Sequence, residues 1–267
     1  MTLAFRLTSY NLLAEAYATR RLYPQIAPEV LAWPRRSAAI VERIAGLAPD
    51  LACLQEVQAD AWPALEAAFA VHGYRGVYAQ KGHGRPDGCA LLFRDGALHL
   101  ASSHALHFSD GLDGAEPSGH VALVGSFESA AGRVVVAGTH LRWQSTTDDA
   151  EAHIGHRQAR ELAAHLGAAD AAATVFCGDL NSGDESAVLG LLRQRGYADA
   201  YAAAPQPTCN PNGRATRIDF ILHRGVLAST PAPLPAIDGR TPLPSASEPS
   251  DHLPITAELV LREPSTR

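Results

Sequence analysis

The sequence predicts an α/β protein, and three observations carry that prediction. Apolar runs of strand length alternate with segments of helical spacing, and several strands bunch near the middle of the chain. Four of the apolar runs end in polar or ionisable residues: Ser9-Tyr10-Asn11, Leu54-Gln55-Glu56-Val57, Gly178-Asp179-Leu180-Asn181-Ser182 and Ser250-Asp251-His252-Leu253-Pro254. No repeat, composition shift or linker divides the 267 residues, so 1–267 reads as one domain.

Taken in order, Leu3–Ser9 alternates as a half-buried strand does. Arg36–Leu47 places Ile40, Val41, Ile44 and Leu47 at helical spacing, and Pro49 closes it. Leu51–Leu54 is a short buried strand. Asp60–Val71 reads as an amphipathic helix, with Asp60 as N-cap and Gly73 as stop. Strands follow at Gly88–Phe93, Val121–Phe127 and Val134–Thr139, the last two joined as a hairpin through Gly132-Arg133. Glu151–Leu166 is a long helix, Thr174–Cys177 a strand and Glu185–Arg195 a helix. Ile218–Leu222 and Ile255–Leu261 are strands, and the proline-rich, aperiodic stretch from Val226 to Pro249 reads as a surface loop.

Composition narrows the function classes. No apolar run approaches the roughly 20 residues that span a bilayer. The N-terminus lacks the charged region and apolar run of a signal peptide, which predicts a cytoplasmic protein with no membrane partner. Nothing points to an obligate protein partner. Cys53, Cys89, Cys177 and Cys209 show no paired spacing, and Cys53 and Cys177 sit in apolar runs as reduced core thiols. The formal net charge of −6 neither supports nor excludes a polyanion, because five acids lie in or beside the polar strand ends and the remainder is close to neutral. Lys81 is the only lysine. An arginine-rich chain suits planar contacts to phosphate, and base composition of the genome explains the bias equally well.

Asn, Glu, Asp and His at the ends of strands have a shared chemistry. They offer oxygen ligands for a hard cation, an activator for water and donors to phosphate, which is the set that metal-assisted phosphoester cleavage needs. Each alone has a plainer reading: Glu56 as a solvated strand end, Asn11 as an Asx-turn, Gly178-Asp179 as a turn, and Asp219 as a polar start to a strand. The pairs His153/His156 and His104/His107 have zinc-like spacing but no third ligand nearby in sequence, and read as solvated histidines.

Together the motifs resemble the endonuclease/exonuclease/phosphatase superfamily, whose fold is that of deoxyribonuclease I. The likeness runs from Asn11 to His252, in the superfamily's order. Ser9-Tyr10-Asn11-Leu12-Leu13-Ala14-Glu15, Leu31-Ala32-Trp33-Pro34-Arg35-Arg36, Pro49-Asp50-Leu51-Ala52-Cys53-Leu54-Gln55-Glu56-Val57 and Asp87-Gly88-Cys89-Ala90 resemble the branch of the carbon-catabolite-repression deadenylases, nocturnin and the Angel proteins. The resemblance implies a four-layer α/β sandwich of two packed sheets flanked by helices.

The resemblance also implies roles. Glu56 becomes the principal Mg²⁺ ligand (Mn²⁺ as a substitute), supported by Asn11 and, through water, by Asp251. Asp179 is the general base, Asn181 donates to phosphate, and His252 stabilises phosphoryl charge while Asp219 orients it. His140, in Thr139-His140-Leu141-Arg142-Trp143, contacts phosphate. Arg142 is a second donor if the strand continues, and Trp143 either stacks on a base or caps the core. Asp87 is a substrate-side carboxylate. The segment Pro207–Gly213 lacks the aromatic that would stack on adenine, a departure from the deadenylase pattern.

The expected substrate is a nucleotide or a short single-stranded RNA 3′ end. The alternative is a small phosphorylated metabolite, cut by a phosphatase or cyclic phosphodiesterase. A silent binding module on the same fold would have lost Glu56, Asp179 or His252, and the chain keeps all three.

Overall fold

A computed structural model describes residues 2–145, 149–225 and 227–261. Two six-stranded mixed sheets pack face to face. In chain order the strands and helices are β1 (Leu3–Asn11), α1 (Pro28–Leu31), α2 (Trp33–Leu47), β2 (Leu51–Gln58), α3 (Trp62–Val71), β3 (Arg75–Gln80), β4 (Asp87–Phe93), β5 (His99–His107), β6 (Val121–Glu128) and β7 (Val134–His140). There follow α4 (Ile154–Gly167), β8 (Ala173–Asp179), α5 (Ala187–Gln194), β9 (Ala198–Asp199), β10 (Asp219–Gly225), β11 (Leu227–Pro231) and β12 (Ile255–Leu261). The first sheet runs β11-β12-β1-β2-β4-β3 and the second β5-β6-β7-β8-β10-β9.

Leu7, Leu51, Cys53, Leu91, Val136, Val175, Cys177, Ile221 and Ile255 fill the space between the sheets. The outer face of the first sheet is covered by Ile40 and Ile44 of α2 and Leu65 and Phe69 of α3. Leu162 and Leu166 of α4 and Leu189 and Leu192 of α5 cover the second. The layers are therefore helix, sheet, sheet, helix. Strands covered on both faces need continuous rather than alternating apolar sequence, and β4, β7 and β8 are buried at every position.

The pairing directions place the site. In each sheet one parallel pair sits at the centre, β1 with β2 and β7 with β8. Their neighbours β12, β4 and β10 run antiparallel to them. The C-terminal ends of β1, β2, β7 and β8 therefore meet the N-terminal ends of β12, β4 and β10 at one edge of the sandwich. Asn11, Glu56, His140, Asp179, Asp219, His252 and Asp87 all lie at that edge.

Four strands were not expected from pattern: β3, β5, the two-residue β9 and β11. β5 is an edge strand whose residues are nearly all exposed, so no alternation of apolar and polar residues marks it. β11 lies within the stretch read as a loop; Val226, where that loop was to begin, falls outside the described residues. Asp60 does not cap α3. That helix starts at Trp62 with Pro63 in its first turn, which removes a donor the cap would serve, and Asp60 Oδ1 instead accepts from Gln58 Nε2 at 2.9 Å. Among the described residues no helix is long and apolar enough to cross a membrane.

Candidate active site

Glu56 reaches the site through a local irregularity. The β2–β4 register shifts between Leu54 and Val57, and Glu56 sits in that bulge with φ of 54°. A left-handed conformation costs a residue with a Cβ about 1–2 kcal/mol. The bulge turns the carboxylate to the edge while Gln55 stays inside, donating to Ser9 Oγ and the Cys53 carbonyl. Ala14 N–H donates to Glu56 Oε2 at 3.0 Å. Burial, then the charge of Asp251, pushes the Glu56 carboxyl above the usual range.

Asn11 joins this carboxylate to the second sheet. Leu13 N–H donates to Asn11 Oδ1 at 3.0 Å, which fixes the amide so that Nδ2 faces outward from the turn. Nδ2 then donates to both Glu56 Oε1 and Asp179 Oδ2, each at 3.0 Å. Asp179 takes Asn181 N–H on Oδ1 at 2.9 Å. The strand end that carries Asp179 requires glycine before it: Gly178 has φ of +142°, and a Cβ there would lie 1.9 Å from the Thr139 carbonyl oxygen. Burial, and then the nearby Asp219, raises the Asp179 carboxyl to about 7, against the lowering by His252 and the bonds from Asn181 and Asn11.

His252 and Asp219, 33 positions apart, meet across the two sheets with Nδ1 at 2.9 Å and 3.1 Å from the carboxylate oxygens. Burial alone would lower the imidazole's pKa. The charge of Asp219 above all, with Asp251 and Asp179, outweighs it and holds the pKa well above 6.5. Thr208 orients the carboxylate, donating to Asp219 Oδ2 at 2.6 Å. His140 behaves oppositely. Burial and the Lys81 charge hold its pKa well below 6.5. Both histidines present Nε2 to Asp179 Oδ2, at 3.6 Å for His140 and 3.7 Å for His252. Asn181 Nδ2 lies 2.9 Å from His140 Nε2.

Two expected residues are placed differently, and of the two alternatives for Trp143 one drops out. Asp87 is not an open carboxylate: it is fully buried, paired with Lys81 Nζ at 2.6 Å and with the Tyr17 hydroxyl at 2.9 Å. Arg142 is not on a continuing strand, because β7 ends at His140 and Arg142 N–H donates to Gln158 of α4 at 2.8 Å. Its side chain lines a depression of about 410 Å³ beside the site, together with Arg85 and Arg157. Trp143 is 68 % exposed and caps no core. It forms one wall of a groove of about 480 Å³ that reaches Asn181, with Arg214 and Thr216 on the lining. Asp251 accepts from the Tyr23 hydroxyl at 2.7 Å.

Sequence reading passed over Lys81, Tyr17, Tyr23 and Thr208, and gave Arg36 no role. Arg36, 1 % exposed, donates to the carbonyls of Leu12, Leu13 and Pro249, tying the loop after Asn11 to the loop that carries His252. Lys81 had a signal, being the one lysine among many arginines. The zinc-like pairs hold no common ligand position: His153 Nδ1 caps α4 by accepting from His156 N–H at 3.2 Å, and His104 meets His165 at 2.9 Å.

Comparison with known proteins accords with this geometry. The chain is 35 % identical over 111 residues to Carbon catabolite repressor protein 4 homolog 4 of Arabidopsis thaliana, covering 41 % of this chain and 26 % of that protein. It is 29 % identical over 215 residues to Protein angel of Drosophila melanogaster, covering 76 % of this chain and 60 % of that protein. The chain thus spans from about a quarter to 60 % of the length of these curated relatives. The solved structure of ANGEL2, a 2′,3′-cyclic phosphatase, aligns with a TM-score of 0.85 at 21 % identity, over 97 % of this chain and 96 % of that one, a likeness of fold. The profile of the Endonuclease/Exonuclease/phosphatase family matches residues 8–252, and the chain belongs to that family of phosphoester-hydrolysing enzymes.

Proposed function

We propose that this protein is a Mg²⁺-dependent phosphoesterase acting on a nucleotide or a short RNA 3′ end. One observation carries the reading: the Asn11 amide bridges Glu56 and Asp179 at 3.0 Å each, coupling a carboxylate suited to a cation with a carboxylate suited to water. The residues present fit a hard divalent ion. Glu56 and Asp251 offer only oxygen to it, Asn11 supports the site by holding Glu56 through Nδ2, and the Glu56 pKa raised by burial and then by Asp251 marks buried negative charge that a cation would compensate. When bound, the ion supplies Lewis-acid polarisation of the phosphoryl group.

The chain's own residues supply the rest. Asp179, with its carboxyl near 7, takes the proton from the attacking water. His252, held cationic by Asp219, donates to a phosphoryl oxygen. Asn181 Nδ2 and His140 Nε2 face the same space from the second sheet. The groove between Trp143 and Arg214 is large enough for a nucleoside, and its exposed indole is a stacking surface. The likeness in fold to ANGEL2, a 2′,3′-cyclic phosphatase, favours a second reading, a cyclic or terminal phosphate on a small molecule.

The test is a substrate panel of short oligoribonucleotides, oligodeoxyribonucleotides, mononucleotides, 2′,3′-cyclic phosphates and a sugar phosphate, each with Mg²⁺ and with chelator. Turnover of ribonucleotides with Mg²⁺ alone supports the reading. Turnover confined to the sugar phosphate transfers it to the metabolite class. Glu56→Gln is expected to abolish turnover with the melting temperature retained, and activity that persists in chelator would overturn the metal assignment.

A further inference from the structure

The chain's one lysine is enclosed at the back of the site. Its side chain is 3 % exposed, and Nζ donates to Asp87 Oδ2 at 2.6 Å. Asp87 accepts the Tyr17 hydroxyl on its other oxygen at 2.9 Å, and the Lys81 amide donates to the Asp87 carbonyl at 3.0 Å. Asp87 is thereby held in place against the ammonium, which meets His140 Nδ1 at 3.2 Å in another direction. On the far side of that ring, Nε2 faces Asn181 Nδ2 at 2.9 Å. The Asn181 amide is oriented by the Leu141 carbonyl, to which the same Nδ2 donates at 2.9 Å. Reversing the amide would set two oxygens against each other.

Both ring nitrogens of His140 thus meet a donor, and a neutral imidazole can accept at only one of them. An ammonium has three donors and no acceptor, so a proton on Nδ1 would point at a buried cation. Asn181 is neutral and its other N–H has an acceptor in Leu141, so its contact costs less to leave unmade than one that points a proton at the ammonium. We infer that Lys81 is a positioning residue that fixes His140 as the Nε2–H tautomer, so that His140 Nε2–H and Asn181 Nδ2–H form a two-donor clamp for one phosphoryl oxygen. Two donors 2.9 Å apart suit a single anionic oxygen that accepts from both. In the other tautomer Nε2 would accept from Asn181 and offer phosphate nothing. Glu56 Oε1, 3.9 Å from Nδ1, is the acceptor that would draw the proton there without the ammonium. Lys81 therefore also keeps His140 from turning to the carboxylate assigned to the cation.

The inference rests on the reading that His140 and Asn181 face the phosphoester, but the tautomer is measurable with no substrate present. In protein carrying ¹⁵N-labelled histidine, at mildly alkaline pH in chelator, long-range ¹H–¹⁵N correlations should show His140 protonated at Nε2 and bare at Nδ1. Lys81→Arg, also a donor-only side chain, should keep that pattern. The double variant Lys81→Met/Asp87→Asn removes the ammonium together with its partner charge, so no buried carboxylate is left unpaired, and should move the proton to Nδ1. Mg²⁺ with inorganic phosphate should shift the Nε2–H proton downfield in wild type and in Lys81→Arg but not in the double variant. On whichever substrate the panel identifies, kcat of the double variant should fall about 10- to 100-fold, the scale of one lost anion-hole donor, with the Mg²⁺ midpoint held within about 2-fold. A wild-type protein protonated at Nδ1, or a double variant that keeps Nε2–H, overturns the inference, as does lost activity with the tautomer unchanged. The expected tautomer shift in a protein inactive on every phosphoester would support the positioning role and overturn the function instead.

Discussion

The two histidines that flank Asp179 are built alike in front and opposite behind. Each presents Nε2 to the same carboxylate oxygen, at 3.6 and 3.7 Å, and each is backed through Nδ1 by a residue of the other sheet. Behind His252 stands the anion Asp219 of β10, at 2.9 Å; behind His140 stands the cation Lys81, which follows β3, at 3.2 Å. Burial lowers the pKa of both rings, and the neighbour decides the outcome: His252 is held charged and His140 neutral. A site that must neutralise phosphoryl charge without repelling a divalent ion gains from this division. Under the proposed function, one ring would supply charge to the phosphoryl oxygens and the other a donor without charge beside Glu56.

The largest expected effect separates the two rings by rate. His252→Ala should lower kcat by about 10³- to 10⁴-fold, and Asp219→Asn should approach that loss, because residues acting as a unit are grossly non-additive. The double variant should then be little worse than His252→Ala alone. His140→Ala should cost about 10²- to 10³-fold, the scale of one anion-hole donor. Steady-state kinetics on a common substrate check this; additive losses from Asp219→Asn and His252→Ala would show that the pair does not work as a dyad. Asp219→Asn should also move the basic limb of the pH–rate profile downward, since the charge that keeps His252 protonated is gone.

A second effect, smaller, separates them by stability, and the signs are opposite. The folded pKa of His252 lies above the unfolded value near 6.5, so its contribution is fully present below that pH and is lost as pH rises through the folded value. The folded pKa of His140 lies below 6.5, so its contribution is present above that pH and is lost as acid protonates the unfolded chain. Melting curves in chelator should therefore show His252→Ala narrowing its gap to wild type as pH rises. His140→Ala should narrow its gap as pH falls below about 6.5. Parallel curves for the two variants would erase the contrast.

What the sequence disclosed of this arrangement follows from which contacts are local. The ends of β1, β2 and β8 announce themselves, because a polar residue closing a continuous apolar run is a local pattern. So does the pairing of Asp219 with His252, though only through a resemblance: 33 positions separate them and nothing in their spacing brings them together. Glu56 was legible as a residue but not as a bulge, since its φ of 54° is a property of the β2–β4 register. Asp87 was misplaced because a carboxylate opening a strand looks the same whether it faces solvent or a lysine six residues earlier. Arg142 was misplaced because its face depended on where β7 stopped, which Gln158 of a distant helix decides. β5 was invisible for a related reason: an exposed edge strand has no buried face to impose alternation.

The smallest expected effect lies outside the histidine pair and tells whether a base stacks on Trp143. Trp143 is 68 % exposed and stands on the groove that opens from Asn181. Removing so exposed a ring leaves no cavity, so Trp143→Ala should leave the melting temperature unchanged within about 1 °C, as surface substitutions do. If a base stacks on the indole, the variant loses about 1 kcal/mol, the low end for base–aromatic stacking, because one face of the ring stays in water. That is about a 5-fold rise in KM, with kcat kept, since stacking remote from phosphorus binds ground and transition states alike. A sugar phosphate or inorganic phosphate, having no base, should bind the variant and wild type equally. Equal KM values on nucleotides as well would place the base away from Trp143. A loss of kcat rather than KM would mean that the loop holding the indole also orders Asn181, and the division of labour between the two histidines would then depend on a residue neither of them touches.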